Sequence, residues 1–335
     1  MTSKVAVVGA TGAVGRELVK ILESRSFPVG GLTLFASGKR PGRTLRYRSD
    51  DLPVRPLGPE SFRGLDLVFF ATSAGVSREW VPVARSAGGL VIDNSSAFRS
   101  DPEVPLVVPE VNGDCLATHR GLIANPNCST ILLVLVLHPL SRLAPLSRVV
   151  VATYQAVSGA GQAGVEDLEN QLRARYGGSR QEDAPARAFP HEIAHNLIPA
   201  IGPTVRSGAS GEESKMQSET GRILGLKGLK MSATCVRVPV PRVHCEAVHL
   251  AFERPVTSSE VRRRLAAAPG VVILDDPSEH IYPTPQAAEG RDEVLVGRIR
   301  PDLAMDGGVA LFLAGDQLRK GAALNAVQIA ERAIP

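Results

Sequence analysis

The stretch Lys4-Val5-Ala6-Val7-Val8-Gly9-Ala10-Thr11-Gly12-Ala13-Val14-Gly15 decides the fold. Lys4 to Val8 reads as a short strand, apolar from Val5 onward, as burial inside a parallel sheet requires. Glycines at 9, 12 and 15 follow, and Arg16 to Leu22 then carries helical periodicity. Strand, glycine turn and helix together make the context of a dinucleotide fingerprint. Glycine lets the backbone approach a pyrophosphate, and the helix N-terminus supplies unpaired N–H groups. The spacing is GxxGxxG rather than GxGxxG, a departure of a recognised kind.

Working outward, the next strand is Leu32 to Phe35, and Ala36-Ser37-Gly38-Lys39-Arg40 ends it. An NAD site usually offers an acid here to the ribose 2′-hydroxyl. Two cations and a hydroxyl stand there instead, which favours NADP; a solvated turn would use the same residues. Leu65 to Phe70 is another strand, and the small residues Ala71 to Gly75 at its end leave room for a cofactor. Leu90 to Asp93 follows. Alternating strands and helices to about residue 125 predict an open parallel sheet.

Asn125-Pro126-Asn127-Cys128-Ser129-Thr130 then leads into the apolar run Ile131 to Leu137. Asn, Pro and Ser/Thr before an apolar segment mark a helix start, with Asn as a capping candidate. A thiol there meets the positive end of the helix dipole, which favours the nucleophilic thiolate. Equally, most free cysteines are small buried apolar residues.

Composition narrows the classes. With 335 residues the chain has room for two cores, and few aromatics (4%) leave the apolar mass to Val, Leu, Ile and Ala, as in α/β layers. The net charge of +4 is scattered, with no basic tail, so nucleic acid is not expected. The longest apolar run stops at His138-Pro139, far short of the roughly 20 residues that span a bilayer. The N-terminus runs straight into a strand, and Cys115, Cys128, Cys235 and Cys245 form no disulfide framework. A soluble, cytoplasmic protein without a membrane partner is the expectation.

The second half reads as an antiparallel or mixed sheet with helices on one side. Strands are expected at Arg148 to Tyr154, Lys230 to Pro239, Ala247 to Phe252, Val271 to Leu274, Val294 to Arg300 and Gly308 to Ala314. Helices are expected at Gly164 to Tyr176, from Glu212, and at Leu318 to Ala333; Gly177 to Pro185 reads as a polar loop. His191-Glu192-Ile193-Ala194-His195 matches the zinc-protease pattern H-E-x-x-H. Pro190 and Pro199 leave little room for the long helix it needs, so no metal is expected. Arg237 and His244 lie seven residues apart, an offset that puts side chains on opposite faces of an ideal strand. Pro239 and Pro241 can bend the chain so that both reach one cleft. There Arg237 could clamp a carboxylate and His244 could serve as general acid/base.

Taken in order, GATGAVG (9–15), DNSSAFR (93–99), NPNCST (125–130), QAVSGAG (155–161), EESKM (212–216), RVPV with the following His (237–244) and DQLRKGAALNAVQIAE near the C-terminus resemble the aspartate-semialdehyde dehydrogenase family. The resemblance runs essentially end to end. It implies a Rossmann-type NADP-binding domain over 1–127 and 317–335. An α+β catalytic and dimerisation domain with a mixed sheet fills 128–316.

It also implies a chemistry: 4-phospho-L-aspartate acylates Cys128, NADPH reduces the thioester to L-aspartate 4-semialdehyde, and the reverse reaction consumes inorganic phosphate. His244 would move protons and Gln155 would orient the acyl group or His244. Arg237 would bind the substrate carboxylate and Glu212 its ammonium; Arg99, Asn127 and Lys215 would hold phosphate. For the cofactor the implied contacts are Thr11, Gly12, Ala13 and Val14 at the pyrophosphate and Ser37, Gly38, Lys39 and Arg40 at the 2′-phosphate. Ser73, Ala74, Gly75, Ser158 and Gly159 would lie near the nicotinamide. Gln317 stands where the family usually has Asn, and its longer amide could keep the cofactor contact. Homodimers are usual, tetramers are left open, and the pathway would serve lysine, diaminopimelate, methionine, threonine and isoleucine synthesis. The competing readings are an N-acetyl-gamma-glutamyl-phosphate reductase-like enzyme, disfavoured by Glu212 with Arg237, and a non-catalytic NADP-binding homologue.

Overall fold

β1 (Ser3–Val8) has no exposure at Val5, Ala6 or Val7, because a strand lies on each side of it. In the computed structural model, which describes residues 2–36, 42–177 and 188–334, it pairs in parallel with both β2 (Val29–Ala36) and a later strand. The chain divides into two units, Met1–Asn127 with Gly321–Pro335, and Cys128–Lys320.

In the first unit, α1 (Ala13–Ser24) follows β1 and leads to β2. β3 (Thr44–Tyr47) and β4 (Asp50–Pro56) come next, then β5 (Leu67–Phe70), α2 (Ala74–Ser86), β6 (Leu90–Asp93), the short α3 (Pro109–Asn112) and β7 (Leu122–Ala124). The sheet order is β3-β4-β2-β1-β5-β6-β7. The chain builds outward on one side of β1 and then on the other, so the order switches at β1. Ligand crevices of open α/β sheets form at that point, beyond the strands' C-terminal ends. One departure from the all-parallel expectation is the antiparallel β3–β4 pair at the edge. Leu45, Tyr47, Leu52 and Val54 pack on the core of this unit but stand singly between polar residues and Pro53, so no continuous buried-strand pattern announced it.

In the second unit, α4 (Cys128–Ser141) precedes β8 (Leu146–Gln155), then α5 (Gln162–Tyr176), α6 (Gly211–Leu224), β9 (Lys230–Arg237) and β10 (His244–Phe252). The remainder is α7 (Ser258–Ala266), β11 (Val271–Ile273), the short α8 (Pro285–Ala288), β12 (Val294–Pro301) and β13 (Val309–Gly315). The mixed sheet runs β11-β12-β13-β10-β8-β9. α4 is apolar nearly all round and is buried from Ser129 to Leu137. It lies tight on the sheet: a Cβ at Gly315 would stand 2.6 Å from Leu132 Cδ2. α6 is fixed by a capping box, Ser210 with Glu213, and stops at Gly225 in the left-handed region. β10 opens at His244, three residues before the expected start at Ala247.

The chain re-enters the first unit at Gly321 rather than at 317. The expected helix from Leu318 opens instead with a π-helical turn, Arg319–Ala323, and α9 (Leu324–Ala333) continues from it. α9 contributes Val327, Ile329 and Ala330 to the core that Leu18, Ile21, Phe69 and Ile92 share. Among the described residues, no helix is long and apolar enough to cross a membrane.

Candidate active site

The glycine turn of the first unit shows what each glycine is for. Gly9 has φ +84°, and a Cβ there would meet Ala71 O at 2.2 Å; one at Gly15 would meet Gly9 O at 2.2 Å. Both are demanded by the fold. A Cβ at Gly12 would meet only Gly9 O, at 3.3 Å. Gly12 caps α1 and lines a cleft of about 500 Å³ with Val8, Thr11, Ala36, Thr72 and Trp80. α1 has no acid in its first turn, so its N-terminal dipole is not neutralised from within. Ala13 and Val14 open α1; Ser73 caps α2, and Ala74 and Gly75 open that helix. These residues fit a dinucleotide: a side-chain-free approach, an uncompensated helix N-terminus and a groove at the switch point. Ser37, Gly38, Lys39 and Arg40 lie outside the described residues, as does most of the stretch expected to be a polar loop after Gly177.

Arg99 is also in this unit. Its Nε donates to Asn125 O at 2.8 Å and its Nη2 to Asn94 O at 2.7 Å. Asn125 is bonded within this unit. Its amide donates to Asn94 Oδ1 at 3.0 Å and its oxygen accepts from Asn325 Nδ2 at 2.7 Å. Asn127 is buried and closes the unit.

Cys128 opens the second unit and is the first residue of α4, with no acid in that helix's first turn. The thiol therefore stands at the positive end of the helix dipole. Across the adjacent sheet, alternation sets which side chains face α4. Gln155 is paired with Arg237, and the pairing of Cys245 with Tyr154 brings His244 one step beyond, level with Gln155. Arg237, Gln155 and His244 thus form one row across three neighbouring strands. All three are buried. Gln155 Nε2 donates to Ser129 Oγ at 2.9 Å and to Glu212 Oε1 at 3.3 Å. The second oxygen of Glu212 accepts from Lys215 Nζ at 3.3 Å. Lys215, expected at phosphate, is the half-buried end of that relay.

The segment 238–243 does what its prolines suggested: it turns back so that Arg237 and His244 converge. They meet at Gly159, where a Cβ would stand 2.6 Å from Arg237 Nη1 and 3.1 Å from His244 Nε2. Arg237 Nη1 donates to Ala156 O at 2.6 Å, and the guanidinium lies 5.7 Å from the Phe189 ring centre. Burial lowers the Arg237 pKa, while the neighbouring Cys128 and Glu212 push it back up. His244 accepts from Ala156 N–H through Nδ1 at 3.1 Å. A backbone N–H can only donate, so the neutral ring carries its proton on Nε2. Burial, and then the Arg237 charge, hold His244 well below the usual histidine range, so it is neutral. Nε2 is fully buried and has no partner among the described residues. Such an orphaned donor fits an oxygen of a bound substrate.

Sequence reading missed Ser129, Thr153 and Glu246. Thr153 was legible in principle, two residues from Gln155 on the same strand. Glu246 is fully buried, with both carboxylate oxygens unpartnered among the described residues, one row below His244, and burial raises its pKa well above the usual range. Ser158, expected near the nicotinamide, and Gln317, expected to contact the cofactor, bond each other at 2.6 Å. The H-E-x-x-H segment is not helical. Ile193 and Ala194 dock through their N–H groups on Gln171 Oε1, Glu192 pairs with Arg175, and His195 contacts Tyr176. Among the described residues, no group of three His, Cys, Asp or Glu is placed to hold a metal ion.

Two family models match the chain. "Semialdehyde dehydrogenase, NAD binding domain" covers residues 4–119, and "Semialdehyde dehydrogenase, dimerisation domain" covers residues 137–320. The aspartate-semialdehyde dehydrogenase of Aquifex aeolicus is 48% identical over 334 residues, covering 99% of this chain and 98% of that protein. The crystal structure of aspartate semialdehyde dehydrogenase II from Vibrio cholerae, complexed with ASA, superposes with TM-score 0.94 at 39% identity, over 100% of this chain and 98% of that one. The Candida albicans enzyme with NADP gives TM-score 0.75 at 26% identity, over 99% and 98%. With both domain models matched and near-complete coverage at such identity, this chain belongs to the aspartate-semialdehyde dehydrogenase family.

Proposed function

We propose that the chain interconverts 4-phospho-L-aspartate and L-aspartate 4-semialdehyde through an acyl-thioester on Cys128, using NADP. The observation that carries this is the row Arg237, Gln155, His244 facing the helix that Cys128 opens. In the oxidative direction the Cys128 thiolate attacks the aldehyde carbon to give a hemithioacetal. NADP, when bound, supplies the hydride acceptor. The thioester that results is attacked by inorganic phosphate, and the acyl phosphate leaves as the thiolate re-forms. His244 donates its Nε2 proton toward the oxygen that gains charge. Arg237 holds the substrate α-carboxylate as a two-pronged donor. Glu212, a buried carboxylate already bonded to Gln155, takes the free ammonium, which supports aspartate over an acylated substrate. Gln155 fixes Ser129 and Glu212 around the acyl group. Arg99, Asn127 and Lys215 are assigned to phosphate.

On the cofactor side the turn at Thr11 and Gly12, with Ala13 and Val14, takes the pyrophosphate. Ser37, Gly38, Lys39 and Arg40 take the 2′-phosphate; Ser73, Ala74, Gly75, Ser158 and Gly159 border the nicotinamide. A homodimer in the cytoplasm is the setting we propose, serving lysine, diaminopimelate, methionine, threonine and isoleucine synthesis. The test is an assay with aspartate semialdehyde, phosphate and NADP⁺ or NAD⁺ in turn. NADPH formation should need phosphate and vanish in Cys128→Ala. Reduction of cofactor without phosphate would overturn the acyl-phosphate chemistry, and an active Cys128→Ala would overturn the covalent step.

A further inference from the structure

Val243, the residue before His244, has φ +78°. It is β-branched and buried, and left-handed backbone is an outlier for such a residue. A conformation of that kind persists only where its surroundings over-determine it. The surroundings here are specific. Val243 N–H donates to Gln317 Oε1 at 2.8 Å, across 74 residues of chain. The same amide donates through Nε2 to Ser158 Oγ at 2.6 Å. The Ser158 turn is itself tied to the segment before His244: Val157 N–H donates to Val240 O at 2.9 Å and Ser158 N–H to Pro241 O at 3.3 Å. Beside Gln317, the fully buried Asp316 accepts from Arg242 Nε at 2.8 Å and from the Gly290 N–H at 2.8 Å. Consecutive residues 316 and 317 therefore grip consecutive residues 242 and 243.

We infer that Gln317 is a positioning residue: its side chain holds Val243 in the left-handed conformation and thereby presents the His244 ring to substrate, between Ala156 N–H and the open space at Gly159. The role rests on the proposed part of His244 in catalysis. It is separate from the cofactor contact expected at this position, because it is made within the protein by both ends of the Gln317 amide. With the tie cut, Val243 relaxes toward negative φ. His244 follows it and leaves Ala156 N–H.

Glycine at 243 provides the test, because it adopts positive φ at no steric cost. A double-mutant cycle is measured with aspartate semialdehyde, phosphate and NADP⁺. Gln317→Ala should lower kcat by about 10- to 100-fold, the size of one strained residue's cost, with KM for NADP⁺ changed by less than about threefold. In the Val243→Gly background the same Gln317→Ala change should cost less than about threefold in kcat. Equal losses in both backgrounds, or a loss carried by KM for NADP⁺, overturn the inference. If Gln317→Ala does not fold, Gln317→Met, similar in length but without the amide that bonds both partners, takes its place in the cycle with the same expectations. His244→Ala is assayed alongside. Retained activity there refutes the reading of His244 itself, whereas lost activity with no coupling in the cycle refutes only the Gln317 role.

Discussion

Gly159→Ala adds one methyl group where Arg237 and His244 meet. The new carbon would lie 2.6 Å from Arg237 Nη1 and 3.1 Å from both Cε1 and Nε2 of His244. Non-bonded carbon prefers neighbours at about 3.5–4.0 Å, so the guanidinium must retreat by about 1 Å. It has nowhere easy to go. Arg237 is 5% exposed, and its Nη1 already donates to Ala156 O at 2.6 Å. Overfilling a packed site costs about 1–3 kcal/mol, and displacing a substrate-holding group by about 1 Å costs about a hundredfold in rate. Initial rates of phosphate-dependent NADPH formation, with aspartate semialdehyde varied and then NADP⁺ varied, give the comparison. We expect kcat/KM for aspartate semialdehyde to fall by about 30- to 100-fold, mostly through KM, because Arg237 grips the substrate before and during reaction. A variant with unchanged kcat/KM for the aldehyde would show that Arg237 and His244 do not meet at this point. A rise confined to KM for NADP⁺ would give Gly159 to the cofactor alone.

Three further outcomes follow from buried groups and tight turns. Burial pushes the thiols of Cys235 and Cys245 up to about 12, so native protein treated with iodoacetamide near neutral pH should be alkylated at Cys128 and the exposed Cys115 but not at these two. Peptide mapping that finds Cys235 modified in folded protein would contradict this. Glu246 is held protonated by burial, so above its ordinary value of 4.5 the unfolded chain loses a proton that the folded one keeps, and stability falls as pH rises. Glu246→Gln should therefore raise Tm by more at about pH 8 than at about pH 5; an equal shift at both would remove the carboxyl as the cause. Gly12→Ala and Gly15→Ala should separate binding from folding. The first should keep Tm and weaken NADPH binding by about tenfold or more in a fluorescence titration, and the second should lower Tm itself, since its Cβ would strike Gly9 O. Reversed effects would refute the division of labour among the glycines.

What the sequence made legible were features with a local cause. An unbroken apolar strand and a glycine turn before a periodic helix announced the nucleotide unit, and an apolar run after NPNCS announced α4. The β3–β4 edge was missed because its core-facing residues, Leu45, Tyr47, Leu52 and Val54, stand singly between polar residues and a proline. Convergence of Arg237 with His244 was only half legible. The prolines permitted a bend, but the left-handed Val243 that completes it has no signature in a valine. Glu246 escaped because the strand was expected to begin at Ala247. Starting at His244, the period of two puts His244 and Glu246 on the same inward face. The π-helical turn at Arg319 escaped because π and α turns draw on the same residues.

β8 alternates without exception over its last seven residues. Val149, Val151, Thr153 and Gln155 point inward and are buried, while Val150 and Tyr154 between them are exposed. That regularity constrains how the family can diverge here. Point changes on the outer positions leave the inner row alone. Insertion or loss of one residue anywhere along the strand exchanges the two rows, putting a tyrosine where Gln155 stands and sending Gln155 to the surface. Lineages can therefore drift in β8 by substitution but not by length, and gains and losses of residues should gather in the loops at either end.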